Sequence, residues 1–83
     1  MDQHIKEYEE IQHPHQGNYM LLSRLEQDCK YFLGYGRRNE KHLWADSVAE
    51  HIKEMKRLYE LLPIKPVWLT MEEVEEFERE MKA

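Results

Sequence analysis

Apolar residues recur along the chain at helical spacing and form three separate stripes. Leu22, Leu25, Cys29 and Phe32 fall at i, i+3, i+7 and i+10, with Leu21 and Leu33 widening the stripe. This spacing predicts an amphipathic helix of about four turns. Asn18 stands where an N-cap belongs and Gly34 where a left-handed residue often ends a helix. Val48, Ile52, Met55, Tyr59 and Leu62 define a second helix. Asp46 or Ser47 is its expected cap, and Pro63 stops it. Val74, Phe77 and Met81 line a third, opened by Thr70 and Glu73. That pair has capping-box spacing: the threonine accepts from the third helical N–H, and the glutamate reaches back to the threonine N–H.

The connecting segments read differently. Met1 to Gly17 is polar, with Ile5, Tyr8 and Ile11 at a spacing of three and with Pro14 and Gly17 as breakers. It is expected to be a flexible arm, leaving residues 18–83 as one helical domain. Gly34 to Lys41 carries two glycines and three basic residues, and His42 to Ala45 reads as a turn of helix. Pro63-Ile-Lys-Pro66 is a stiff connector. After it, Val67, Trp68 and Leu69 are expected to fold back onto the core, since exposing a tryptophan beside a leucine is costly. The fold class is therefore all-α: a small three-helix domain with a flexible N-terminal arm. Its expected core is Leu22, Leu25, Cys29, Phe32, Trp44, Val48, Ile52, Met55, Tyr59, Leu62, Trp68, Val74, Phe77 and Met81.

Composition narrows the function classes. At 83 residues the chain buries a modest core, with no room for a deep substrate cleft besides. The lone cysteine, Cys29, fits a reducing compartment, because small secreted domains usually pair theirs. Met1 to Glu10 is charged and reads as no signal peptide, and no apolar run suits a bilayer span. The expected setting is the cytoplasm, away from membranes.

Net charge is −5 but unevenly placed. Five bases oppose three acids from Arg24 to His42, whereas six glutamates oppose only Arg79 and Lys82 after Thr70. Such asymmetry favours oriented binding to a protein partner, and the overall acidity disfavours nucleic acid.

Tyr35, Arg37, Arg38, Lys41 and His42 are the candidate partner-binding residues. The glycines allow a sharp turn, and arginines grip carboxylates or phosphates through paired hydrogen bonds. The plainer alternative is a helix cap followed by a solvated loop. Gly-Tyr-Gly lacks the spacing of a phosphate loop or dinucleotide fingerprint. His4, His13 and His15 make too loose a set for a metal. Cys29 has His42 or His51 as conceivable bases, yet lies on an apolar stripe as a small hydrophobe. No catalytic residue, metal or cofactor is therefore expected, and the protein is read as a non-enzyme. The glutamates of the third helix offer a DNA-mimicking surface as the alternative to a solvated face. Sequence leaves the oligomeric state open, with Leu21, Tyr31 and Leu58 as candidate dimer-face residues.

Tyr19-Met-Leu-Leu-Ser-Arg-Leu-Glu-Gln-Asp-Cys-Lys-Tyr-Phe-Leu-Gly-Tyr-Gly36 resembles the start of a large polyvalent protein-associated domain. Lys41-His-Leu-Trp-Ala45 continues the likeness, and Trp68-Leu-Thr-Met-Glu72 through Met81 resembles its end. The resemblance implies a bacterial setting, in phages and conjugative elements. There such domains occur within large multidomain proteins and as short chains. It carries over no catalytic residue. The function expected is an accessory interaction module that binds an acidic protein or nucleic-acid partner through the 34–42 loop. The alternative is an anti-restriction or anti-defence inhibitor acting through the third helix.

Overall fold

A computed structural model describes residues 15–83, and within them the chain forms three α-helices and no strand. Helix α1 spans Gln16–Leu33, α2 spans Val48–Leu61 and α3 spans Met71–Lys82. Two 3₁₀ turns, Glu40–His42 and Trp44–Asp46, lie between α1 and α2. The expected all-α, three-helix class is the observed one. Readings that concern Ile5, Tyr8, Ile11, His4 and His13 lie outside the described residues.

Local chemistry explains most boundaries. Ser47 Oγ accepts the Glu50 N–H at the start of α2, so of the two candidate caps it is the serine that acts. Thr70 and Glu73 form the full capping box of α3, with both reciprocal bonds present. Helix α1 departs from expectation. It begins at Gln16, so Gly17 and Asn18 lie inside its first turn, and His15 holds the cap position. Gly17 has open space where a Cβ would stand, so the packing does not require a glycine there, and Asn18 turns its amide toward the His15 ring at 3.4 Å.

Helix α2 packs against both α1 and α3. Its buried residues are Val48, His51, Ile52, Met55 and Leu58, an arc that extends the expected stripe on the side of His51 and Leu58. Leu58 is fully buried, which removes it from the dimer-face candidates. Tyr59 and Phe77 pack on the core while staying partly open.

Both tryptophans depart from the expected core. Trp44 remains 43% exposed and Trp68 40%, while their neighbours Leu43 and Leu69 are buried instead. In irregular segments no periodicity decides which of two adjacent apolar residues points inward. The smaller, wholly apolar leucine fits the closed interior, and each larger indole stays part-exposed at its edge. Val67, expected to fold back beside Trp68, lies almost wholly in solvent.

The 34–42 turn is tightly closed. Carbonyls left free at the end of α1 are taken up by backbone N–H groups: Gly34 donates to Lys30 and Tyr31, Gly36 to Tyr31, and Arg38 to Phe32. Gly34 is not left-handed, with φ at −108°. The left-handed residues are Arg37 and Arg38, with φ of 53° and 60°. Gly36 is required for another reason: a Cβ there would meet the Tyr31 ring and carbonyl oxygen at 2.8 Å. Gly36→Ala is expected to destabilise the fold by about 2 kcal/mol, since the backbone oxygen cannot step aside. Thermal denaturation followed by circular dichroism measures this.

Candidate functional site

Two features meet on one side of the molecule: the basic turn and a cleft beside it. Sequence placed five residues in the turn. Tyr35 is 90% exposed, and Arg37, Lys41 and His42 are also open to solvent. His42 stacks edge-on against Tyr31, with ring centroids 5.2 Å apart. Asn39 caps the first 3₁₀ turn through its side-chain oxygen, which accepts the Lys41 N–H.

Arg38 does something different. Its guanidinium crosses to the end of α3 and donates to the carbonyl oxygens of Glu80 at 2.8 Å, Met81 at 2.9 Å and Ala83 at 3.2 Å. It also lies 5.4 Å from the centre of the Phe32 ring. A cation at a helix C-terminus satisfies free carbonyls and opposes the negative end of the dipole. Arg38 thus ties the turn to α3, while Tyr35, Arg37, Lys41 and His42 remain available.

The cleft lies between α1 and the 3₁₀ segment. It encloses about 260 Å³ and is lined by Leu21, Arg24, Leu25, Asp28, His42, Leu43 and Trp44. Arg24 and Asp28 were not singled out in the sequence. Their spacing of four on one helix was the available signal, but nothing placed a cleft above that face. Neither makes an ion pair or a side-chain hydrogen bond among the described residues.

A buried imidazole links two residues of the lining. His51 is wholly buried in α2, and its ring bridges the backbones of Leu25 and Trp44. Its Nδ1 accepts the backbone N–H of Trp44 at 2.9 Å, and its Nε2 lies 2.9 Å from the Leu25 carbonyl oxygen. A nitrogen that accepts an N–H carries no proton, so Nε2 is the ring's donor and the neutral tautomer is fixed. Both polar atoms are satisfied, as buried polar atoms require.

The backbone here is strained. Ala45 and Asp46 each have a φ of 53°, so a second left-handed pair follows the one at Arg37 and Arg38. Left-handed conformations at residues with a Cβ cost of order 1 kcal/mol each and persist only where surrounding contacts impose them.

The nucleophile question is answered by Cys29. It is fully buried, with its Sγ 3.5 Å from the Met55 sulfur. Burial, then the charges of Asp28 and Glu26, push its pKa from 9.0 to about 12. At pH 8 the thiolate fraction is lowered about a thousandfold, so native protein should resist iodoacetamide and become labelled only on unfolding. Because the unfolded thiol ionises near 9 and the folded one near 12, stability from this group is intact below about pH 9 and falls as pH rises toward 12. Mass spectrometry of alkylated protein checks the labelling.

The glutamates of α3 are partly committed to holding the domain together. Glu73 completes the capping box, Glu76 pairs with Arg79, and Glu78 pairs with Lys82 at 3.2 Å and with Lys56 of α2 at 3.1 Å. These bonds hold the Glu76 and Glu78 carboxyls below their ordinary range. Among the described residues no three His, Cys, Asp or Glu gather as a metal site, and no helix is long and apolar enough to cross a membrane.

A compact helical domain with a braced basic turn is the class that these observations define. The family model for large polyvalent protein-associated domain 11 matches residues 15–81. The chain belongs to that family. No curated protein and no solved structure matches it.

Proposed function

We propose that the domain is a non-enzymatic interaction module of a bacterial mobile genetic element, which binds an acidic protein partner through Tyr35, Arg37, Lys41 and His42. The bacterial mobile-element setting is part of this proposal, and membership of the large polyvalent protein-associated domain 11 family supports it. The observation that carries the binding surface is the strained and braced turn. Left-handed pairs at Arg37–Arg38 and Ala45–Asp46 bracket a segment whose cationic side chains point into solvent. Strain of this kind concentrates where a surface must be presented in one shape.

Charge supports the same reading. All five ion pairs among the described residues leave out Arg24, Arg37 and Lys41. A non-enzymatic role agrees with a buried, proton-retaining Cys29 and a His51 whose two ring nitrogens are both engaged in structure. The test is affinity capture from a bacterial host lysate, with and without nuclease, comparing wild type with Arg37→Glu/Lys41→Glu. Arg38 is left intact because it holds α3. Loss of a nuclease-resistant protein partner of at least tenfold is expected in the double variant, with its helical circular dichroism unchanged. Equal capture by both forms would reject the surface.

A further inference from the structure

We infer that the cleft beside the basic turn is an anchor pocket, which takes one bulky apolar or aromatic side chain of a protein partner whose flanking residues are acidic. The inference rests on the interaction reading above and goes further by naming what is bound and where.

Size points to a side chain. Small-molecule sites run from roughly 300 to 1,000 Å³. This cleft, at about 260 Å³, is smaller and suits a single large side chain. Interface energy concentrates at such central apolar pockets, ringed by polar groups that exclude water.

Chemistry of the lining fits the same occupant. Buried Leu25 and Leu43 give an apolar floor, and the half-open indole of Trp44 gives a wall for aromatic contact. Arg24 and His42 stand at the lining, and His42 joins the cleft directly to the basic turn. These groups complement acidic residues on either side of the anchor. Asp28 argues for protein over nucleic acid. Its carboxylate would accept the backbone N–H of an inserted peptide, a donor that a phosphodiester backbone lacks.

The pocket is also preformed. His51 bonds to both walls at once, through the Leu25 carbonyl and the Trp44 N–H, so the gap does not have to open at the moment of binding. Preorganisation lowers the ordering cost of association.

The test uses defined peptides and the 83-residue chain. One acetylated, amidated pentapeptide has a central phenylalanine flanked on each side by two acidic residues. A second has alanine at the centre, and a ten-nucleotide oligothymidine is the third probe. Binding is read by NMR, from the Trp44 indole and the Leu21 and Leu43 methyl groups. The phenylalanine peptide is expected to move these signals saturably and to bind about tenfold more tightly than the alanine peptide. Trp44→Ala, at a half-exposed position that should not unfold the domain, is expected to remove that tenfold difference. Arg37→Glu/Lys41→Glu is expected to weaken both peptides alike. Equal binding of the two peptides, with shifts confined to Arg37 and Lys41, would overturn the anchor pocket and leave the basic surface standing. Absence of binding by either peptide would overturn both. Oligothymidine moving the cleft signals while the peptides do not would overturn the choice of a protein partner.

Discussion

His51→Leu should lower stability by about 3 kcal/mol although leucine nearly matches the space and adds apolar surface. The loss comes from what the imidazole leaves behind. The Leu25 carbonyl would lose its bond to the ring inside the protein, and the part-buried Trp44 N–H would lose its acceptor. An unpaired buried polar group costs about 1–3 kcal/mol, and the part-buried Trp44 N–H adds a smaller loss. For a domain of this length the melting temperature should fall by roughly 15 °C. Urea denaturation gives the free energy directly. The Trp44 signals should also broaden or shift in the folded fraction, because the indole wall loses its tether. A variant as stable as wild type would mean that the two backbone groups find other partners and that the histidine does not hold the cleft.

Leu58→Ala should cost a similar amount, about 3 kcal/mol, by a different route. Leu58 is fully buried at the edge of the α2 arc beside His51, and truncating it leaves a cavity that rigid neighbouring helices cannot close. The control is Leu61→Ala three residues on, where the side chain is 46% exposed and the change should stay within about 0.5 kcal/mol. Chemical denaturation of the pair separates them cleanly. Equal small effects would show that α2 does not face two neighbours at once.

These two positions also show how far the sequence reaches. Helical spacing located all three helices, because the apolar stripe of a helix is a local property repeated every three to four residues. The caps of α2 and α3 were legible for the same reason: Ser47, one of two candidates, and Thr70 with Glu73 act within one turn, whereas Asn18 and Gly34 at the ends of α1 did not act as expected. Leu58 was misplaced because periodicity describes one face, whereas the packing of α1 and α3 on both sides of α2 makes a wider arc. The width of that arc depends on partners far along the chain.

The candidate site divides in the same way. The basic turn was visible as a cluster of glycine, arginine and lysine, and its exposed members are Tyr35, Arg37, Lys41 and His42. What Arg38 does was not visible, since its acceptors lie more than forty residues away at the end of α3. Nor was the cleft. Arg24 and Asp28 become part of it only when the 3₁₀ segment folds across α1.

By itself, then, the sequence determined the number of helices, the N-caps of α2 and α3, the lone thiol on an apolar stripe and the position of the basic turn. These follow from interactions between residues within a few places of one another. Tertiary structure alone decided that Leu43 and Leu69 are buried while Trp44 and Trp68 stay at the surface. It also decided that His51 bridges two walls, that Arg38 caps a distant helix, and that a pocket opens beside the turn. Each of these depends on which surfaces meet when the helices pack, and segments without periodicity carry no local record of that choice.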